Sequence, residues 1–297
     1  MGKRLSLLVN IHKILQPSDF YISTWLTIGA CLQCFLLIFL PKNIALIPPF
    51  LFLFYRLIRS HLVATGRLRN PHAESVILDR FTTQFPGSFE NEEKPKRSGQ
   101  TIIVLILAIT LSHPAGRLAP GVAKVGKYFA DIWTLAEAQR QKYGYLGNSP
   151  EMVSQIDAMG KYGRRDGDDR GKTMMWISYW SSLDGLHRFA NEGVHREAWK
   201  WWEAGASERY QHTGLMHELY EVPAGHWENI YLNFRPFGIS NARFPMTKGG
   251  TKLGEGNQEE IEFVSGITST TKKDWKSSRI RMGKGPAGIG QTHSTQS

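Results

Sequence analysis

The sequence predicts an α+β protein, a ferredoxin-like domain preceded by an N-terminal transmembrane hairpin. Three observations predict it. Two apolar stretches, Ile22 to Leu40 and Ile44 to Ile58, stand within the first sixty residues, joined by Pro41-Lys42-Asn43. Between residues 101 and 244 the apolar pattern switches between strand and helix period in the order β-α-β-β-α-β-β, a split β-α-β plan. Beyond residue 245 Gly, Ser, Thr and Lys prevail without periodicity, which reads as a disordered tail.

Ile22 to Leu40 is uncharged over 19 residues. As a helix, a stretch of this length crosses a hydrocarbon core. Ile44 to Ile58 is shorter and interrupted by Pro48-Pro49, so it reads as a kinked, re-entrant or interfacial piece. Lys3, Arg4 and Lys13 precede the pair, and Arg56, Arg59, Arg67 and Arg69 follow it. By the positive-inside rule both flanks face the cytosol, the hairpin is residues 1–60, and the expected location is the endoplasmic reticulum or another endomembrane. Were only the first stretch to span, the domain would be translocated instead. A cleaved signal peptide fits poorly, because the apolar run starts late and a second one follows. Cys31 and Cys34, the whole cysteine complement, lie inside the first stretch. They read as inert thiols, and they exclude a disulfide scaffold and a cysteine zinc site.

The net charge of +10 and pI near 9.6 admit a nucleic-acid partner. No zinc finger, RNA-recognition motif or basic helix with interleaved aromatics supports one. Bases flanking the apolar stretches suit anionic lipid headgroups instead.

Residues 61–100 read as a polar linker, closed by Pro86-Gly87 and a charged run from Glu90 to Arg97. The body then begins with Ile102 to Leu107, a β-branched run read as a buried strand, which Ser112-His113-Pro114 closes. Gly121 to Tyr143 is a helix, with Val122, Val125, Phe129, Ile132, Trp133, Leu135 and Ala136 on one face. Gly144 ends it. Met152 to Ala158 and Thr173 to Trp180 are strands. Ser181, with Asp184 three residues on, caps a helix through Ala190. Gly193 interrupts that helix, and a second piece runs to Trp202. Leu215 to Val222 and Trp227 to Phe234 form a hairpin through Pro223-Ala224-Gly225.

Six of the nine tryptophans and five of the ten histidines fall between Trp176 and Phe234. Taken singly, each is most simply a core or surface residue. Together they describe a pocket walled by indoles and carrying imidazoles, suited to a flat, apolar, weakly acidic organic molecule. His187 stands three and four residues from Ala190 and Leu183, so it points inward from the edge of the buried stripe. His217 shares a strand face with Leu215 and Leu219, and Tyr220 takes the opposite face. His195 and Trp199 form an i, i+4 pair. A neutral imidazole in such a place is a general base. His187 and His217 are the catalytic candidates. Trp180, His195, Trp199, Trp202, Tyr220, Asn233 and Arg188 are the substrate-binding candidates. No dinucleotide fingerprint, P-loop, nucleophile elbow or metal-chelating histidine pair is present. No cofactor or metal is therefore expected, although a single histidine suffices to ligate haem.

The stretches Leu186 to Ala190, His195 to Trp202, Met216 to Gly225, Asn229 to Asn233 and His113 to Gly121 together resemble a fungal and bacterial monooxygenase-like family. That family includes the monooxygenase of fumagillin biosynthesis and is similar in fold to the antibiotic-biosynthesis monooxygenases, which are dimeric α+β barrels. The resemblance covers roughly residues 101–244. It implies a ferredoxin-like dimeric α/β barrel, and oxygenation of a lipophilic secondary metabolite by dioxygen without metal or flavin. The expected partners are that substrate, membrane lipid and a second copy of the chain. The alternatives are a cyclase, isomerase or dehydratase on the same fold, with or without haem, and a non-catalytic protein that binds a hydrophobic ligand.

Overall fold

The computed structural model describes residues 22–86, 100–113, 115–154, 172–247, 261–270 and 277–284. The chain divides into two compact units, residues 1–75 with 114–117, and residues 76–113 with 118–297.

In the first unit, helices α1 (Ile22–Phe39) and α3 (Ile47–Ala64) flank the one-turn helix α2 (Lys42–Ala45). Neither long helix buries a residue, and both are long and apolar enough to cross a membrane. Pro48 and Pro49 do not break the second segment. They sit in the first turn of α3, where a missing N–H costs nothing and a fixed φ favours the helix. The segment expected to end at Ile58 therefore continues to Ala64. Gln33 Nε2 donates to the Ala45 carbonyl at 2.9 Å, which satisfies an acceptor left over at the end of α2. Cys31 and Cys34 are exposed on α1. The basic residues before Ile22 lie outside the described residues.

The second unit begins with β1 (Ile77–Thr83), inside the segment expected to be linker. The central fold follows as β2 (Ile102–Leu111), α4 (Val122–Ala138), α5 (Arg140–Tyr143), β3 (Tyr145–Asn148), β4 (Met152–Ser154), β5 (Lys172–Trp180), α6 (Leu183–Asn191), α7 (Gly193–Trp201), α8 (Ser207–Arg209) and β6 (Thr213–Val222). The sheet order is β3-β5-β2-β6, with β4 also on β5, and every pairing is antiparallel. This is the strand order of a ferredoxin-like α+β fold. β3 falls where the sequence reads only a helix end. Gly144, at φ 66°, ends α5 and turns the chain directly into that strand. The last part of the strand expected through Ala158 lies outside the described residues. The cap of α6 is Ser182, not Ser181: its Oγ accepts from the Gly185 N–H at 3.1 Å.

Register decides which residues meet the helices. Leu107 pairs with Trp176 on one side and His217 on the other. The odd-numbered residues of β2 thus face the helices, with Trp180, Ser178, Trp176 and Met174 of β5 beside them. One buried cluster gathers Ile103, Ile132, Tyr145, Trp180, Leu186 and Phe189. Another gathers Ile109, Leu111, Val122, Val125 and Met174.

The opposite face of the sheet carries Ile102, Val104 and Tyr179. Phe85, Trp227, Ile239, Ala242 and Phe244 of the same chain pack over them. The remaining elements build this cover: β7 (Tyr231–Phe234), β8 (Arg243–Thr247), β9 (Ile261–Ser265), β10 (Ile267–Ser269) and α9 (Ser278–Arg281). The expected β6–β7 hairpin does not form. β7 pairs with β1 in a second sheet of order β10-β1-β7, and β8 pairs with β9. The turn at Pro223 to His226, with Gly225 at φ 73°, sends Trp227 into the core instead of back along β6. The described part of the expected tail is therefore ordered. Arg281, buried on α9, pairs with Glu228 at 2.7 Å.

Asn229 fastens β1. Its Oδ1 accepts from the Thr83 N–H at 2.7 Å and its Nδ2 donates to the Thr83 carbonyl at 2.9 Å, so one side chain imitates a strand neighbour. Asn229→Ala would leave two buried backbone groups unpaired. We expect a loss of about 2–4 kcal/mol, at about 1–2 per orphaned group, read from the urea midpoint at constant m.

Candidate active site

A cavity of about 440 Å³ lies between the helix-facing side of β2 and β6 and the helices α4, α6 and α7. Its floor is Leu105 and Leu107 with Leu215, Met216, His217 and Leu219 of the edge strand β6. Its walls are Val125, Tyr128, Phe129, Ile132 and Trp133 of α4, and Leu186, Phe189 and Ala190 of α6. Ala198, Trp199, Trp201 and Trp202 close it. No Asp, Glu, Lys or Arg lines it. The volume falls in the usual range for a small-molecule site.

The α7 segment has glycine at either end in a left-handed conformation, Gly193 at φ 52° and Gly205 at φ 101°. Its helical run breaks in a kink at Ala204 and Gly205, whose φ and ψ are not helical. The successive residues Trp201 and Trp202 both line the cavity, their rings 6.2 Å apart. Lys124 Nζ stands 4.5 Å from the Trp201 ring centre.

Three imidazoles border the cavity, and they are not equivalent. His187 and His217 are exposed at its mouth. The expectation of a buried His187 is corrected here: it lines the cavity, at the edge of the stripe, but is exposed. His195, in the first turn of α7, is partly buried inside. Its Nδ1 lies 2.9 Å from the Ala190 carbonyl, one of the last four acceptors of α6. Its ring stands 5.6 Å from that of Phe189. Burial pushes its pKa below the ordinary 6.5; the Ala190 contact opposes this, and the neighbouring His217 adds to it.

His217, His187, His195, Trp199 and Trp202 thus converge on one cavity, and four other expected site residues do not. Trp180 is fully buried in the core beneath it, with Nε1 donating to Ser178 Oγ at 3.0 Å. Tyr220 is exposed on the other side of β6 and donates to Glu218 at 2.5 Å. Arg188 reaches outward to the Lys142 carbonyl at 3.3 Å. Asn233 is exposed in β7 of the second sheet, at φ 48°. Sequence reasoning missed Tyr128, Asn191 and Met216. Phe129, Ile132 and Trp133, on the helix face that the sequence predicts, also wall the cavity. Among the described residues no group of three or more His, Cys, Asp or Glu converges to hold a metal.

The depressed His195 pKa makes stability depend on pH. The unfolded chain protonates first as pH falls, so stability is lost as pH falls from 6.5 through the lower folded value. His217, His187 and Tyr128 line the same cavity. We expect His195→Asn to flatten the decline of Tm below pH 6.5, measured in parallel melts of both proteins.

Residues 102–239 match the family model described as Monooxygenase af470-like. The chain is 24% identical over 281 residues to Monooxygenase af470 of Aspergillus fumigatus, covering 95% of this chain and 94% of that one. Among solved structures, an aldoxime dehydratase complexed with butyraldoxime gives a TM-score of 0.33 at 13% identity. The match covers 58% of this chain and 43% of that one, so this chain spans under half of its length. SnoaB, a cofactor-independent oxygenase from Streptomyces nogalater, gives 0.24 at 14% identity, over 40% of this chain and 90% of that one. An antibiotic biosynthesis monooxygenase described as putative, from Deinococcus radiodurans, gives 0.24 at 16%, over 40% and 91%. With these scores the fold rests on the strand order and register above. The family that this chain resembles, through the residues that build the sheet, the helices and the cavity, is the af470-like monooxygenases.

Proposed function

We propose that this chain is a membrane-anchored monooxygenase that oxygenates a flat, neutral, lipophilic molecule of secondary metabolism without a metal or organic cofactor. The observation that carries the reading is the cavity, aromatic on most sides, uncharged, and furnished with three imidazoles. In it an imidazole takes a proton from an acidic O–H or C–H of the substrate. The anion passes one electron to dioxygen, and the superoxide and substrate radical combine to a peroxide. Loss of water from the peroxide leaves a new carbonyl. The substrate supplies both electrons, and the balance is SH2 + O2 → SO + H2O. The apolar lining excludes water from the reactive anion.

The two apolar helices support an anchor, and the basic residues after the second support a cytosolic domain at an endomembrane. The anchor suits a substrate that partitions into lipid. Ile106, Met175 and Ile177, partly exposed on the sheet face beside the intrachain cover, support a second copy of the chain as partner.

The test is oxygen uptake by the full chain in lipid nanodiscs, with a panel of polycyclic phenols and polyenes under 18O2. The expected result is colourless protein and one labelled oxygen atom per product. A Soret band replaces this reading with a haem enzyme. Uptake without incorporation into any product removes it.

A further inference from the structure

We infer that His195, and neither of the two histidines at the cavity mouth, is the general base, with Nε2 receiving the substrate's proton and the Ala190 carbonyl fixing the ring. The inference rests on the proposed oxygenase reading for its place in a reaction, but the proton transfer itself needs no oxygen.

A carbonyl oxygen carries no proton, so the 2.9 Å contact is a hydrogen bond only when Nδ1 bears the hydrogen. That tautomer leaves a lone pair on Nε2. Among the described residues no partner is recorded for Nε2, while Nδ1 is held by the end of α6. The same bond sets the ring's angle, because Ala190 and His195 lie on either side of the Gly193 turn. A base needs this combination of one proton fixed, one lone pair free and one orientation. His187 and His217 lack it. Both are exposed, and neither ring has a recorded hydrogen bond among the described residues.

Burial disfavours a charge on the ring, and the Ala190 carbonyl opposes this. His195 lies in the first turn of α7, where the helix dipole disfavours a cation and favours an anion placed before it. The titratable groups that share the cavity are His187, His217 and Tyr128, and none is a carboxylate. A substrate anion formed there is therefore the sole negative charge in the cavity, beside the imidazolium just made. In the step, the substrate's C–H or O–H bond breaks, its electron pair stays on the substrate, and an N–H bond forms at Nε2.

Capping α6 and taking a proton are separable roles. Asn places its amide nitrogen where His has Nδ1, so His195→Asn keeps the donor to Ala190 and removes the lone pair. Two measurements test the inference, both on the full chain in nanodiscs. The first is the tautomer of 15N-labelled His195 at pH 7, assigned by its contact with the Phe189 ring and needing no variant. The expected state is protonated Nδ1 with unprotonated Nε2; the Nε2–H tautomer or an imidazolium overturns the inference. The second is exchange of the methylene protons of anthrone, a flat neutral carbon acid, in deuterium oxide under nitrogen. We expect acceleration by the wild type and at least a hundredfold loss in His195→Asn. No acceleration by the wild type, or exchange that persists in His195→Asn while His187→Asn or His217→Asn abolishes it, overturns the inference. Exchange that follows the expected pattern, with no oxygen consumed when air is admitted, upholds the base and removes only the oxygenase reading.

Discussion

Trp180→Ala is expected to destabilise the second unit by about 3–5 kcal/mol, the range for emptying a large buried aromatic site. The indole is fully buried. Tyr145 packs against it at 5.0 Å and Phe189 at 4.9 Å, and its N–H is paired with Ser178. Deleting it opens a void under both the sheet and α6, so the cavity wall moves as well. Trp199→Ala is the matched control. Trp199 is 50% exposed at the mouth, and its loss should change stability by no more than about 0.5 kcal/mol. Urea unfolding followed by near-ultraviolet circular dichroism separates the two. Equal losses would mean that the assignment of Trp180 to the core and Trp199 to the cavity is wrong.

Ala198→Phe is expected to weaken binding of a flat aromatic ligand at least tenfold while leaving the fold intact. Ala198 lines the cavity from α7 between His195 and the tryptophans, and it is partly exposed. A benzyl group there occupies volume that the ligand needs. Because the side chain grows into an existing space, the overpacking cost of about 1–3 kcal/mol seen in filled cores should not arise. Quenching of tryptophan fluorescence by anthrone gives the affinity, and a thermal melt gives the stability. A tighter complex in Ala198→Phe would place the ligand elsewhere.

The contrast between these two tryptophans marks how far the sequence could be read. Trp180 and Trp199 stand in similar aromatic surroundings in the chain, and both were expected in the pocket. Strand register separates them. Trp180 is paired with Ile103 at the end of the sheet covered by α5 and α6, whereas Trp199 rides on a helix whose residues are all at least partly exposed. The histidines repeat the lesson. Helical spacing alone placed His187 inward and left His195 a wall residue. The turn at Gly193 brings His195 back to the end of α6, while His187 is exposed.

By itself the sequence determined the two apolar helices, the main strands and helices from Ile102 to Val222 other than β3, and the gathering of aromatics and imidazoles between Trp176 and Phe234. These follow from local hydrophobic period, which a single element carries within its own residues. Only the tertiary structure decided the partner of β7, the placing of β1 and of the segments after Phe244, and which of the three histidines is partly buried against the end of α6. Polar strands such as Leu78 to Thr83 bear no apolar period, since their stability comes from Asn229, Gly266 and other groups far away in the chain. A hydrogen bond between residues on two helices, or between a strand and a distant side chain, leaves no spacing to read until the chain has folded.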